Sequence, residues 1–282
     1  MNRKLACITL DVEADHGNPQ KRLRMFEDES LEERFIDIIN RTGAKVTAFL
    51  VTSLIEKYES SLSRLGASIP LEFAVHSHAH DMHNPCHRED IQQAVKAFQS
   101  FTGQRPTGYR APVGRINREG LETLLDLGFQ YDSSVYPSVR PGKLGYWNLH
   151  MPTEPFKVVR GSDSLVEIPF STLSGIRLVF SLSYVKLFGW GTYATLMKWF
   201  PPPQVSAVLS HPYDFYFHLV AQDVQGVERY LLMKEARNAY NLFENMLRWL
   251  KSHGYEFVFM QEACAYLESM EELPHRPIEA WQ

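Results

Sequence analysis

Short apolar runs recur along the chain, and several are followed by an amphipathic stretch that closes on glycine. Leu5–Leu10 is a continuous run with β-branched residues, fit for a strand buried on both faces. After Ser30, Leu31, Phe35, Ile38 and Ile39 fall at helical spacing and stop at Thr42-Gly43. Val46–Val51 and Leu71–Val75 repeat the strand signal, with a second helix between them. Glu89–Phe101 is amphipathic and closes at Thr102-Gly103, and Arg118–Leu127 is capped by Asn117 and ended by Gly128. Gly108–Arg110, Phe129–Asp132, Leu165–Ile168 and Val205–Leu209 are shorter strands. One long helix, Leu231–Ser252, strand Glu256–Phe259 and a helix from Gln261 complete the order. Strand alternating with helix predicts an α/β fold with a largely parallel sheet. Seven or eight such units suit a barrel better than an open sheet, although Pro137–Phe200 breaks the rhythm. With no linker or repeat, residues 1–282 read as one domain.

Composition narrows the function. With 29 Lys+Arg against 33 Asp+Glu, the formal net charge is -4, so the basic excess of a nucleic-acid protein is missing. The 3 Cys (Cys7, Cys86, Cys264) are odd in number and widely spaced, which reads as a reducing compartment rather than a disulfide framework. Leu5–Leu10 is too short for a signal peptide, and Ile176–Phe200 carries Arg177, Lys186 and Lys198. The expectation is a cytoplasmic protein with no membrane span.

Chemistry collects behind the strands. Asp11 and Glu13 follow the first; His76, His78 and His80 follow Leu71–Val75; Arg110, Asp132 and His211 each close a later one. In a parallel barrel the strand C-termini share one face, so these residues are expected to meet at one mouth. His76 and His80 can reach one metal, and a carboxylate completes a set of two nitrogens and one oxygen, suited to Zn or Fe(II). Asp11 and Glu13, with one residue between them, point the same way on an extended segment. One can ligate while the other stays free as a base. Arg110 can tether a carboxylate, and His211, before Pro212, is a candidate general acid. Each has a plainer reading as a surface or structural residue; the shared mouth is what favours chemistry.

Together these residues resemble the polysaccharide deacetylase family, the NodB-homology or carbohydrate esterase family 4 proteins. The resemblance runs in order through Thr9-Leu10-Asp11-Val12-Glu13 (a DVE/DVD variant), His76-Ser77-His78-Ala79-His80, Arg110-Ala111-Pro112-Val113-Gly114, Asp132-Ser133-Ser134 and Leu209-Ser210-His211. It implies a distorted (β/α) barrel and a divalent metal, usually zinc. It further implies Asp11 as base, Glu13, His76 and His80 as metal ligands, and Arg110 tethering Asp11. Asp132 would orient His211 as general acid, and the Val113 N–H would help hold the oxyanion. The chain departs from the family in placing Glu13 one position late, which leaves the two acids exchangeable. It also has Val113 where an aromatic is common and Val135-Tyr136 for the usual Asp-Trp. His78 and His83 match no role.

The implied activity is removal of an acetyl or other acyl group from an amino sugar, the substrate partner. The rivals are hydrolysis of a formamido sugar or ureide, a non-haem iron oxygenase, and a non-catalytic carbohydrate-binding relative. The aromatic stretch Ile176–Phe200 has two readings: core or homo-oligomer packing, or a substrate wall with Trp190 or Tyr193 stacking on a sugar. Gly189 and Gly191 are expected to break any helix there.

Overall fold

β1 (Lys4–Val12) is the axis of the fold: eight of its nine residues are buried, and other strands pair along both its edges. The computed structural model describes residues 3–18, 20–142, 145–270 and 272–281. β2 (Val46–Leu50), β3 (Leu71–Val75), β4 (Gly108–Tyr109) and β5 (Tyr131–Asp132) follow β1 in parallel, each hydrogen-bonded to the one before. β6 (Val139–Arg140) and β7 (Tyr146–Trp147) form a separate antiparallel pair. β8 (Phe156–Arg160) turns back into β9 (Asp163–Glu167), which lies parallel to β5. β10 (Val205–Ser210) returns to the free edge of β1, β11 (Tyr255–Phe257) pairs with its first residues, and β12 (His275–Pro277) joins β8. The sheet order is β10-β1-β2-β3-β4-β5-β9-β8-β12, so seven mutually parallel strands run from β10 to β9. A parallel bridge between Phe170, just past β9, and Ala207 of β10 brings the ends of that run together.

The helices between these strands are α1 (Glu29–Thr42), α2 (Ile55–Ser68), α3 (Arg88–Thr102) and α4 (Arg118–Leu127). α1, α3 and α4 end on Gly43, Gly103 and Gly128, all with left-handed φ. α1 starts at Asp28, whose side chain accepts the Ser30 N–H, rather than at Ser30. α5 (Leu182–Phe188) and α6 (Trp190–Leu196) occupy the aromatic stretch. Gly189 does end α5, but Gly191 sits inside α6, so helix persists through that stretch. The expected single helix over Leu231–Ser252 is instead broken. A short α7 (Phe217–Val220) precedes α8 (Gly226–Met233), Glu235 turns left-handed at φ 54, and α9 (Ala239–Ser252) begins after it. α10 (Met260–Glu268) closes the series.

The strand pleat decides what lies where. Ala6, Ile8, Leu10 and Val12 face outward into a cluster with Phe35, Ile39, Phe243 and Leu247 of α1 and α9. Leu5 and Cys7 face inward and meet Phe49, Ala74, Tyr131, Val166 and Ala207 from the other strands. The inward face continues through Thr9 to Asp11, and there the apolar filling gives way to polar groups. Packing at the floor is tight: a Cβ on Gly108 would lie 1.9 Å from the Tyr131 ring, so only glycine fits there. The antiparallel β8–β9 hairpin was not expected from the sequence. Its Gly161-Ser162 turn, with Gly161 at φ 59, sits between two apolar runs and is the signal that marks it.

Candidate active site

β1 supplies Asp11 and, at its end, Glu13. β3 supplies His76, whose N–H donates to Leu50 O at 2.7 Å and so prolongs the ladder with β2. The chain then reverses. Ser77 takes a left-handed φ of 65, and His78 and Ala79 donate their N–H groups to the Asp90 carboxylate, both at 2.8 Å. His80, at φ 57, donates its N–H to Ser77 Oγ at 3.1 Å. Asp90, at the start of α3, therefore folds the loop that turns the His80 ring back toward β1.

His80 Nε2 lies 2.5 Å from Glu13 Oε2. His76 Nε2 lies 3.6 Å from the same oxygen and 3.8 Å from Asp11 Oδ2. The His76 Nδ1 is 2.8 Å from Arg110 O; a carbonyl only accepts, so Nδ1 carries the proton and Nε2 turns a lone pair to the carboxylates. His78 is directed elsewhere, its Nδ1 3.0 Å from Thr52 Oγ1.

Whether these residues suit a cation can be judged from the bonds they do not make. His80 Nε2 is buried without a hydrogen bond, although Glu13 Oε2 is in contact. One ligand atom from each of Glu13, His76 and His80 lies within 4.8 Å of the others. Two imidazole nitrogens and one carboxylate oxygen leave positions open for water and substrate, as in catalytic zinc sites. The set fits a divalent cation.

Arg110 is fully buried and closes the floor. It donates from Nη1 to Asp11 Oδ1 at 2.6 Å and to Thr9 Oγ1 at 2.9 Å, from Nε to Ser133 O and from Nη2 to Ser133 Oγ. Its guanidinium lies between the Phe49 and Phe170 rings, 4.0 and 4.4 Å from their centroids. One Asp11 oxygen is thus held from below, and the other faces His76.

His211, at the end of β10, sits on the opposite side, its Nε2 3.9 Å from Glu13 Oε1. Tyr213 stacks on the His211 ring and donates its hydroxyl to Glu13 Oε1 at 3.1 Å. Burial opposes charge on Glu13, but His80, His76 and His211 together hold its carboxyl well below the usual range. Burial likewise opposes charge on His211, yet a hydrogen bond to Asp214 and the charge of Glu13 raise it to about 9.

Several expected roles fall elsewhere. Asp132 does not orient His211: it is fully buried, accepts the Ser134 hydroxyl at 2.6 Å, and meets Glu167 of the neighbouring strand. The partner of His211 Nδ1 is Asp214, at 3.1 Å. Sequence reading missed it, although His-Pro-x-Asp, with proline first in a helical turn and an acid two places on, is a capping signature. Tyr193 is not a wall residue: it is fully buried in the core and donates its hydroxyl to Val179 O at 2.5 Å. Trp190 is half-buried against the same core cluster. Val113 is half-buried in a left-handed turn, φ 52, beside Arg110 in the chain. Beside His80 a cleft of about 330 Å³ opens, lined among others by Asp15, His16, Lys21, Ser53 and Met82.

Comparison with known proteins bears on this arrangement. The chain is 27% identical over 280 residues to the peptidoglycan deacetylase-like protein FGM2 of Gibberella zeae, covering 86% of this chain and 76% of that one. A probable polysaccharide deacetylase of Pseudomonas aeruginosa PAO1 has a similar structure, with a TM-score of 0.59 at 16% identity, covering 96% of this chain and 93% of that chain. PuuE allantoinase is similar with a TM-score of 0.60 at 15% identity, covering 96% and 92%. At these identities the likeness to the solved structures is one of fold. The family model for polysaccharide deacetylase matches residues 4–131, the segment that carries Asp11, Glu13, His76, His80 and Arg110.

Proposed function

We propose that the protein is a metal-dependent amidase that removes an acetyl group, or another small acyl group, from an amino sugar. The observation that carries this reading is the convergence of Glu13, His76 and His80 within 4.8 Å, flanked by Asp11 on one side and His211 on the other. Glu13, His76 and His80 would hold a divalent cation, zinc by the donor set, which would supply Lewis acidity toward water and the acyl carbonyl. Asp11, its Oδ1 fixed by Arg110, accepts the proton of the attacking water on Oδ2. His211 donates a proton from Nε2 to the leaving nitrogen. The Val113 N–H, presented by its left-handed turn, helps hold the oxyanion.

A second reading, hydrolysis of a ureide, has support in the equally close fold of PuuE allantoinase. One assay separates the two. The zinc-loaded protein is incubated with N-acetylated sugars of increasing length and, separately, with allantoin, and products are weighed by mass spectrometry. Acetate release from a sugar is expected. Ring opening of allantoin with no acyl release from any sugar would replace the first reading with the second.

A further inference from the structure

His211 leaves β10 into the turn Pro212–Phe215, and Asp214 folds back on it. One oxygen, Asp214 Oδ2, accepts both the His211 backbone N–H at 3.0 Å and the ring Nδ1–H at 3.1 Å. Were that all, Asp214 would be an ordinary turn cap. The rest of its surroundings is not ordinary. Ser183 Oγ lies 2.8 and 2.9 Å from the two carboxylate oxygens. Lys186 Nζ donates to Asp214 O at 2.9 Å and lies 3.4 Å from Oδ1. Asp214 is 0% exposed and Lys186 1%. A buried ammonium is costly unless its partner is fixed, and a turn cap needs no ammonium at all.

We infer that Ser183, Lys186 and Asp214 form a support that sets the ring of His211, and that Asp214 is its positioning residue. The inference rests on the reading of His211 as proton donor. Lys186 lies by Oδ1, Ser183 Oγ spans both oxygens, and Oδ2 is the oxygen within hydrogen-bond distance of the imidazole. Nδ1 is therefore the donor to Asp214, and Nε2 is turned toward Glu13 and the reacting atoms. Lys186 balances the carboxylate, so it stays ionised in a dry setting; burial opposes this, but Lys186 and then His211 hold the carboxyl well below its usual range. As the C–N bond breaks, its electron pair goes to nitrogen, and Nε2–H of the doubly protonated ring passes to that nitrogen. Nδ1–H stays on Asp214, and solvent restores the lost proton. Ser183 and Lys186 lie three residues apart on α5, hence on one face. The aromatic stretch thus reaches the site through this helix and Asp214 rather than by stacking on substrate.

The test uses Asp214→Asn and, because that change strands a buried cation, the double variant Asp214→Asn/Lys186→Met. The first readout is the proton NMR spectrum of the metal-free protein in water. Native protein should show a far-downfield ring N–H signal, assigned to His211 by its loss in His211→Gln. Both variants should lose it or shift it upfield. The second readout is kcat/KM of the zinc-loaded protein on tri-N-acetylchitotriose and on p-nitrophenyl acetate. The amide rate should fall about 10²–10⁴-fold and the ester rate less than about tenfold, because nitrophenolate leaves without a proton. An unchanged downfield signal in the folded double variant, or equal losses on both substrates, would overturn the inference. If native protein hydrolyses neither substrate, the proposed function fails, and the signal alone still decides whether Asp214 holds the ring.

Discussion

Glu167→Gln should change how stability depends on pH, and in a direction the structure fixes. β5 and β9 place Asp132 and Glu167 side by side, both fully buried. Asp132 Oδ1 accepts the Ser134 hydroxyl and Glu167 Oε1 the Val135 N–H at 2.9 Å. The remaining oxygens, Asp132 Oδ2 and Glu167 Oε2, are buried with no donor among the described residues. Two carboxylates so placed cannot both be charged, and one proton turns the contact into a hydrogen bond. Burial first, then the charge of Asp132, pushes Glu167 well above the usual carboxylate range, and burial raises Asp132 as well. The folded state therefore keeps a proton that the unfolded chain releases above the ordinary glutamate value of 4.5. The native state then binds more protons than the unfolded one, so stability falls as pH rises, by about 1.4 kcal/mol per unit for one proton. Glutamine keeps an N–H for Asp132 Oδ2 but has nothing to titrate. Between about pH 5 and about pH 7, native protein should lose stability relative to Glu167→Gln, at up to about 1.4 kcal/mol per unit while the shared proton stays bound. Urea unfolding followed by circular dichroism at several pH values measures this difference. A difference flat to within about 0.5 kcal/mol over that range would refute the shared proton.

Other expected outcomes are as direct. His80→Ala should lose bound metal by elemental analysis, because two of three protein ligands remain, while His78→Ala, whose ring faces Thr52, should keep it. Asp11→Asn should retain metal and lose about 10²-fold or more in kcat, whereas Glu13→Gln should lose metal; the reverse pattern would exchange the two acids. Tyr193→Phe removes a buried hydrogen bond to Val179 O and should cost about 1 kcal/mol of stability with kcat/KM unchanged, and a fall in kcat/KM at full stability would return Tyr193 to the substrate wall.

Much of this architecture was legible because local signals and tertiary needs agree. Apolar runs such as Val46–Leu50 are strands buried on both faces, and the caps Asn117 and Gly128 bound α4 where the pattern places them. Strand-end chemistry followed from topology, so Asp11, Glu13, His76, His80, Arg110 and His211 were found together. What escaped was set by contacts the sequence does not order. Ser183 and Lys186 lie in the stretch where no helix was expected, and only the packing of α5 against the turn after β10 gives them Asp214. Glu167 lies in an apolar run, and its meaning comes from a cross-strand neighbour 35 residues away, Asp132. Asp132 sits at a strand end like the others, but its carboxylate is held at the β5–β9 seam rather than turned to His211.

The left-handed backbone at Ser77, His80 and Val113 has a consequence for how such a site is lost. Side-chain-bearing residues held there cost on the order of 1–3 kcal/mol each, and a β-branched valine is among the worst placed. Glycine at any of the three would relieve that strain. At position 77 it would also delete the hydroxyl that accepts the His80 N–H, and at position 80 it would delete a candidate ligand. At 77 and 80, then, relief of backbone strain and loss of a group of the candidate site come in the same exchange. Selection for folding alone would not oppose those exchanges, since none touches the packed strands beneath. In descendants of this chain, glycine at 77 or 80 above an unaltered sheet would be the first mark of a candidate site given up.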